Sequence, residues 1–123
     1  MKQKVFKSHS VPLKRGDTGR KFEFRLGQDI SQVTGIAFDL IVKGTDTRSI
    51  QTPFLVSLFY LNGNHYPNEF IVVGSNEKVR RKAIFTPLLV AYDSSPIEGV
   101  FREYSPSSYE EAYLTIVHEC EPR

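Results

Sequence analysis

The sequence predicts an all-β fold: an antiparallel two-sheet sandwich, jelly-roll-like, with at most one or two short helices. Three observations carry that reading. Apolar residues recur at period two in Phe22-Glu23-Phe24-Arg25-Leu26, which places Phe22, Phe24 and Leu26 on one face of a half-buried strand. Runs rich in β-branched and aromatic residues alternate with Gly, Pro, Asn, Asp and Ser clusters along the chain. No helix-period stretch of ten or more residues occurs, so there are no crossover helices of the kind a parallel sheet needs.

Each element follows from its own residues. A first strand is expected over 3–8 and the period-two strand over 22–26. Further strands are expected at 35–43, 54–61, 66–73, 83–92, 97–104 and 112–118, about eight in all. Leu61-Asn62-Gly63-Asn64 predicts a tight hairpin joining 54–61 to 66–73, because Asn-Gly supplies the positive φ angles such a turn requires. Pro67 cannot donate a ladder hydrogen bond and belongs at a strand start, an edge or a bulge. Pro87 is expected to interrupt 83–92 in the same way. The capping-box spacing of Ser107 with Glu110, and of Ser108 with Glu111, predicts one or two helical turns over 107–112.

A chain of 123 residues, 40% hydrophobic and 24% charged, is the size and composition of one packed domain. Its net charge of +2 hides an asymmetry. Residues 1–25 carry eight basic side chains against Asp17 and Glu23, whereas residues 93–123 carry seven acidic ones against Arg102 and Arg123. The division expected is a basic N-terminal arm over 1–19 and a single β-sandwich domain over 20–123. Cys120 is the sole cysteine, so no internal disulfide forms and a reducing compartment is expected. The first residues lack an apolar run of signal-peptide length, and no other run reaches the length of a membrane span. Synthesis in the cytoplasm, without a signal peptide or membrane insertion, is the expectation.

Asp17-Thr18-Gly19 resembles the active-site tripeptide of aspartic proteases, and the resemblance would imply one half of a dimeric protease. In that family the tripeptide follows an apolar strand, whereas here Leu13-Lys14-Arg15-Gly16 precedes it and Arg20-Lys21 follows. Arg15-Gly16-Asp17 resembles the integrin-recognition tripeptide, but the stretch reads more simply as a turn. His118 and Cys120, two apart on a strand, share a face, yet two ligands do not make a metal site, and His9 and His65 are isolated. No metal or cofactor is expected. Cys120 has no assignable base, and Glu119 and Glu121 disfavour its thiolate. Glu110 and Glu111 are adjacent on the expected helical turn and diverge too far to act as a catalytic pair.

What remains is a β domain expected to be non-catalytic. Assembly suits its charge asymmetry, since complementary charge between copies favours correct register. The expectation is a structural subunit of a symmetric particle, with a viral or phage capsid, vertex or tail component as the specific form, incorporated into a virion. The residues expected at the contacts are Lys2, Lys4, Phe6, Lys7, Lys14 and Arg15 of the arm, with Tyr109, Glu110 and Glu111 opposite them. Expected partners are other copies of the chain, neighbouring structural proteins and, through the basic arm and Val79-Arg80-Arg81-Lys82-Ala83, non-specific contact with nucleic acid. The alternative is a ligand-binding module, with carbohydrate as the candidate ligand of loops containing Tyr92, Tyr104, Tyr109 and Tyr113. An aspartic-protease-like enzyme is the third reading.

Overall fold

The structure, a computed structural model, describes the backbone of residues 3–14, 19–44, 51–61, 63, 65–73, 79–103 and 109–123. It describes side chains over 3–12, 20–43, 55–61, 63, 83–102 and 112–123. The described residues form eight strands: β1 (Val5–Lys14), β2 (Gly19–Phe24), β3 (Ile30–Gly44), β4 (Gln51–Phe59), β5 (His65–Val73), β6 (Val79–Ala91), β7 (Ile97–Glu103) and β8 (Tyr109–Pro122). Two four-stranded sheets result, ordered β1-β8-β3-β6 (sheet A) and β2-β7-β4-β5 (sheet B). All pairings are antiparallel.

The order has a simple origin. β1 pairs with β8, β2 with β7, β3 with β6 and β4 with β5, so the chain is one long hairpin rolled into two facing sheets. That is the jelly-roll arrangement. Its apex is the expected Asn-Gly turn: Gly63 adopts φ 91° and its N–H donates to the Tyr60 carbonyl at 3.0 Å. Phe59 and His65 are register partners across it.

The core follows the pleat. Ile36, Phe38, Leu40 and Val42 of β3, and Ala112, Leu114, Ile116, His118 and Cys120 of β8, alternate inward and are buried. Sheet B contributes Val56, Leu58, Ile97 and Phe101. Phe22 and Phe24 pack half-buried against this core, while Leu26, just beyond the end of β2, is buried outright. In β3 the buried residues Ile30, Val33 and Ile36 are spaced by three, a step a regular strand cannot take while keeping one face inward. The chain resolves this with register shifts between Ile30 and Gln32 and between Val33 and Gly35. Gly35 serves a further purpose there. A Cβ on it would stand 2.6 Å from Cζ of Phe85, whose ring lies over the glycine.

Two local expectations change. Tyr109–Ala112 belongs to β8 and not to a helical turn, because these residues pair with β1 and β3 and the sheet ladder satisfies their backbone; Ser107 and Ser108 lie outside the described residues. Pro87 does not interrupt β6, because β6 is an edge strand and the proline sits opposite Gly35 at the bulge. Pro67, as expected, falls on an edge strand, β5.

Buried Tyr92 ties the loops at one end of the sandwich. Its Oη accepts from the Leu26 N–H at 3.1 Å and donates to the Ser95 carbonyl at 2.7 Å. The Tyr92→Phe substitution leaves the Leu26 N–H without its partner and is expected to cost about 1–3 kcal/mol. Urea unfolding should show a lower midpoint with an unchanged slope.

Candidate assembly surface

The basic segment and the acidic tail meet within one chain. Lys4 Nζ lies 2.6 Å from Glu119 Oε1 and 3.3 Å from Thr34 Oγ1, and Lys7 Nζ lies 3.2 Å from Asp29 Oδ2. Hydrogen bonding to Glu119 raises the pKa of Lys4, and the same contact lowers that of Glu119. Lys14 and Glu111 are register partners across β1 and β8, and Glu111 is also the register partner of Lys43 of β3. Surface ion pairs such as Lys4–Glu119 and Lys7–Asp29 set register more than they add stability.

The segment read as an arm over 1–19 is therefore, through residues 5–14, an edge strand of the chain's own sheet A, with Val11 in the core. Phe6 points outward at 64% exposure. Lys14, Tyr109, Glu110 and Glu111 lie on paired strands, and only their backbone is described. Lys2, Arg15 and the Asp17-Thr18 portion of the protease-like tripeptide lie outside the described residues. So does Tyr104, and the side chains of Arg80, Arg81 and Lys82 are likewise not described.

His118 is the polar tie between the sheets. It points inward from β8, fully buried, with Nε2 at 2.7 Å from the Oη of Tyr60 at the end of β4. Phe24 of β2 packs edge-on against its ring at 5.5 Å between centroids and stacks with His9 of β1 at 4.1 Å. Nδ1 of His118 has no hydrogen-bond partner among the described residues. Burial, with a smaller contribution from His9, pushes the pKa of His118 down to about 3. Cys120, two residues on, is also buried; burial raises its thiol pKa to about 11, which leaves it protonated and inert near neutrality. Among the described residues no group of three His, Cys, Asp or Glu side chains stands close enough to hold a metal.

The outer surface is unusual on β6. Its outward row is Ala83, Phe85, Pro87, Leu89 and Ala91, all exposed, with Phe85 at 55% and Leu89 at 73%. The inward row, Ile84, Thr86, Leu88 and Val90, faces the core. A strand apolar on both faces at a sheet edge is the feature that sequence reading passed over. Its signal was the run 83–91, apolar except for Thr86, half of which an antiparallel sandwich must expose. Tyr113 also lies outward, with Lys43 Nζ 5.3 Å from its ring centroid, whereas Tyr92 is taken up by the core.

Two clefts flank β2. One, of about 570 Å³, is lined by Lys21, Phe22, Glu23, Phe59, Glu98, Gly99 and Val100. The other, of about 350 Å³, lies between the facing edges of β1 and β2, with His9, Val11, Pro12, Phe22 and Phe24 in its wall.

No family model matches the chain, and no curated protein does. Among solved structures it is similar to dimeric latent PorU from Porphyromonas gingivalis, with TM-score 0.54 and 9% identity over 94% of this chain and 13% of that one. It is similar to a CocE/NonD family hydrolase from Staphylococcus aureus, with TM-score 0.50 and 9% identity over 93% of this chain and 33% of that one. It is also similar to a carbohydrate binding module from the glycoside hydrolase Cel9A of Ruminococcus flavefaciens, with TM-score 0.50 and 10% identity over 93% of this chain and 98% of the module. The chain thus spans a small part of the first two and nearly all of the third. At these identities the likeness is one of fold alone.

Proposed function

We propose that this chain is a non-catalytic structural subunit that associates with copies of itself into a symmetric particle, with a viral or phage capsid, vertex or tail component as the specific form. The observation that carries the reading is the outward apolar row of β6, because large side chains exposed in line on an edge strand are a liability unless something covers them. Exposed Phe6 on the opposite edge of the same sheet adds to it. The test is sedimentation velocity of the wild-type chain against the Leu89→Asp variant. Leu89 is 73% exposed, so the fold should be unaffected, within about 0.5 kcal/mol. The wild type should sediment as an oligomer and the variant as a smaller species; equal sedimentation of the two would remove β6 from the contact.

A second reading, a carbohydrate-binding module, is favoured by the larger cleft, where Phe59, 39% exposed, lies beside Glu23, Glu98 and Lys21. An aromatic face with hydrogen-bonding groups around it is the chemistry that holds a sugar ring. If this reading is correct, Phe59→Ala will abolish retardation of the chain in gels containing soluble glucan.

A further inference from the structure

We infer that the outer edge of β2, with which no described strand pairs, is a self-association site, where two copies pair antiparallel about a two-fold axis through Phe22. This rests on the assembly reading above and specifies one of its interfaces. Four strands end the two sheets: β1, β6, β2 and β5. Three of them carry a proline, Pro12 in β1, Pro67 in β5 and Pro87 in β6, and a proline lacks the donor that strand addition needs. β2, Gly-Arg-Lys-Phe-Glu-Phe, carries none. Its edge opens on the cleft between β1 and β2, and the inward rings of Phe22 and Phe24 are only half-covered there.

The occupant follows from the charges on β2. Lys21 and Glu23 are exposed on the outer face, and neither has an ion-pair partner among the described residues. Glu23 stands directly opposite Glu98 of β7, a like-charge cross-strand pair that is unfavourable by itself. Antiparallel pairing with Phe22 opposite Phe22 of the partner subunit sets Lys21 beside Glu23 of the partner subunit and, by symmetry, Glu23 beside Lys21 of the partner subunit. Cross-strand neighbours on one face lie about 5 Å apart at Cβ, within reach of an ion pair. Each Glu23 then has a cation on one side to offset Glu98 on the other. Because the strand is complementary to itself, a second copy is the partner it fits, and sheet B continues across the axis as eight strands.

The experiment is a charge swap read by analytical ultracentrifugation on the full chain. Lys21→Glu and Glu23→Lys each turn both attractive pairs into repulsive ones, so each variant alone should dimerise at least tenfold more weakly than the wild type. Mixed in equal amounts, the two should associate as tightly as the wild type, since glutamates on one strand then meet lysines on the other. The side chains are exposed, and an unchanged far-ultraviolet spectrum verifies the fold of each variant. Variants that associate like the wild type, or a mixture that fails to recover, would overturn the β2 site while leaving assembly through β6 intact. A wild-type chain that stays monomeric at every concentration would remove both.

Discussion

Acidification from pH 7 to pH 4 is expected to lower the unfolding free energy by about 3 kcal/mol, chiefly through His118. The buried imidazole has its pKa depressed from 6.5 to about 3, so between those values the unfolded chain binds a proton that the folded chain refuses. Stability contributed by neutral His118 is therefore fully present above pH 6.5 and is lost as pH falls toward 3, at up to about 1.4 kcal/mol per unit. His9, whose pKa burial also lowers, acts in the same direction. Glu119, held down by Lys4, adds an acid-labile surface contact without changing the sign. Urea unfolding at pH 7, 5.5 and 4 measures the slope. The double variant His118→Leu with Tyr60→Phe removes both partners of the buried hydrogen bond together, so it should fold and show a much flatter dependence. An equally steep profile in that variant would assign the acid sensitivity elsewhere.

Phe38→Ala is expected to cost about 3–5 kcal/mol. Phe38 is fully buried on β3, flanked in register by Ile116 of β8 and Ile84 of β6, so truncation leaves a cavity that the neighbouring strands cannot close. Leu89→Ala, on the outward face of neighbouring β6, should change monomer stability by no more than about 0.5 kcal/mol. Chemical denaturation of both variants below the association concentration checks the contrast. Similar losses at the two positions would mean that the faces of sheet A have been exchanged.

Much of this fold was legible because period-two alternation and turn chemistry are local. Residues 22–26, the Asn62-Gly63 hairpin and the inward run from Ala112 to His118 needed no knowledge of the rest of the chain. The first five residues of β3 were not legible, because Ile30, Val33 and Ile36 keep one face only through bulges, which destroy the alternation a reader looks for. Tyr109–Ala112 misled for a different reason: capping-box spacing is a helical signal of a few residues, and pairing on both sides outweighed it. Charge asymmetry was read correctly as composition but assigned to contacts between copies. Within one sheet, Lys4 pairs with Glu119, and Lys14 and Glu111 are register partners. No local pattern announces that a chain's first and last strands will be neighbours. The Lys21–Glu23 complementarity was invisible for the same reason, since it has meaning only once β2 is known to end a sheet.

Native mass spectrometry of the purified wild-type chain, over a rising concentration series with and without soluble gluco-oligosaccharides, tests the central claim most directly. Self-assembly predicts a closed set of oligomers that grows with concentration and takes up no sugar. A monomer at every concentration, carrying bound oligosaccharide, would contradict it and establish the binding-module reading in its place.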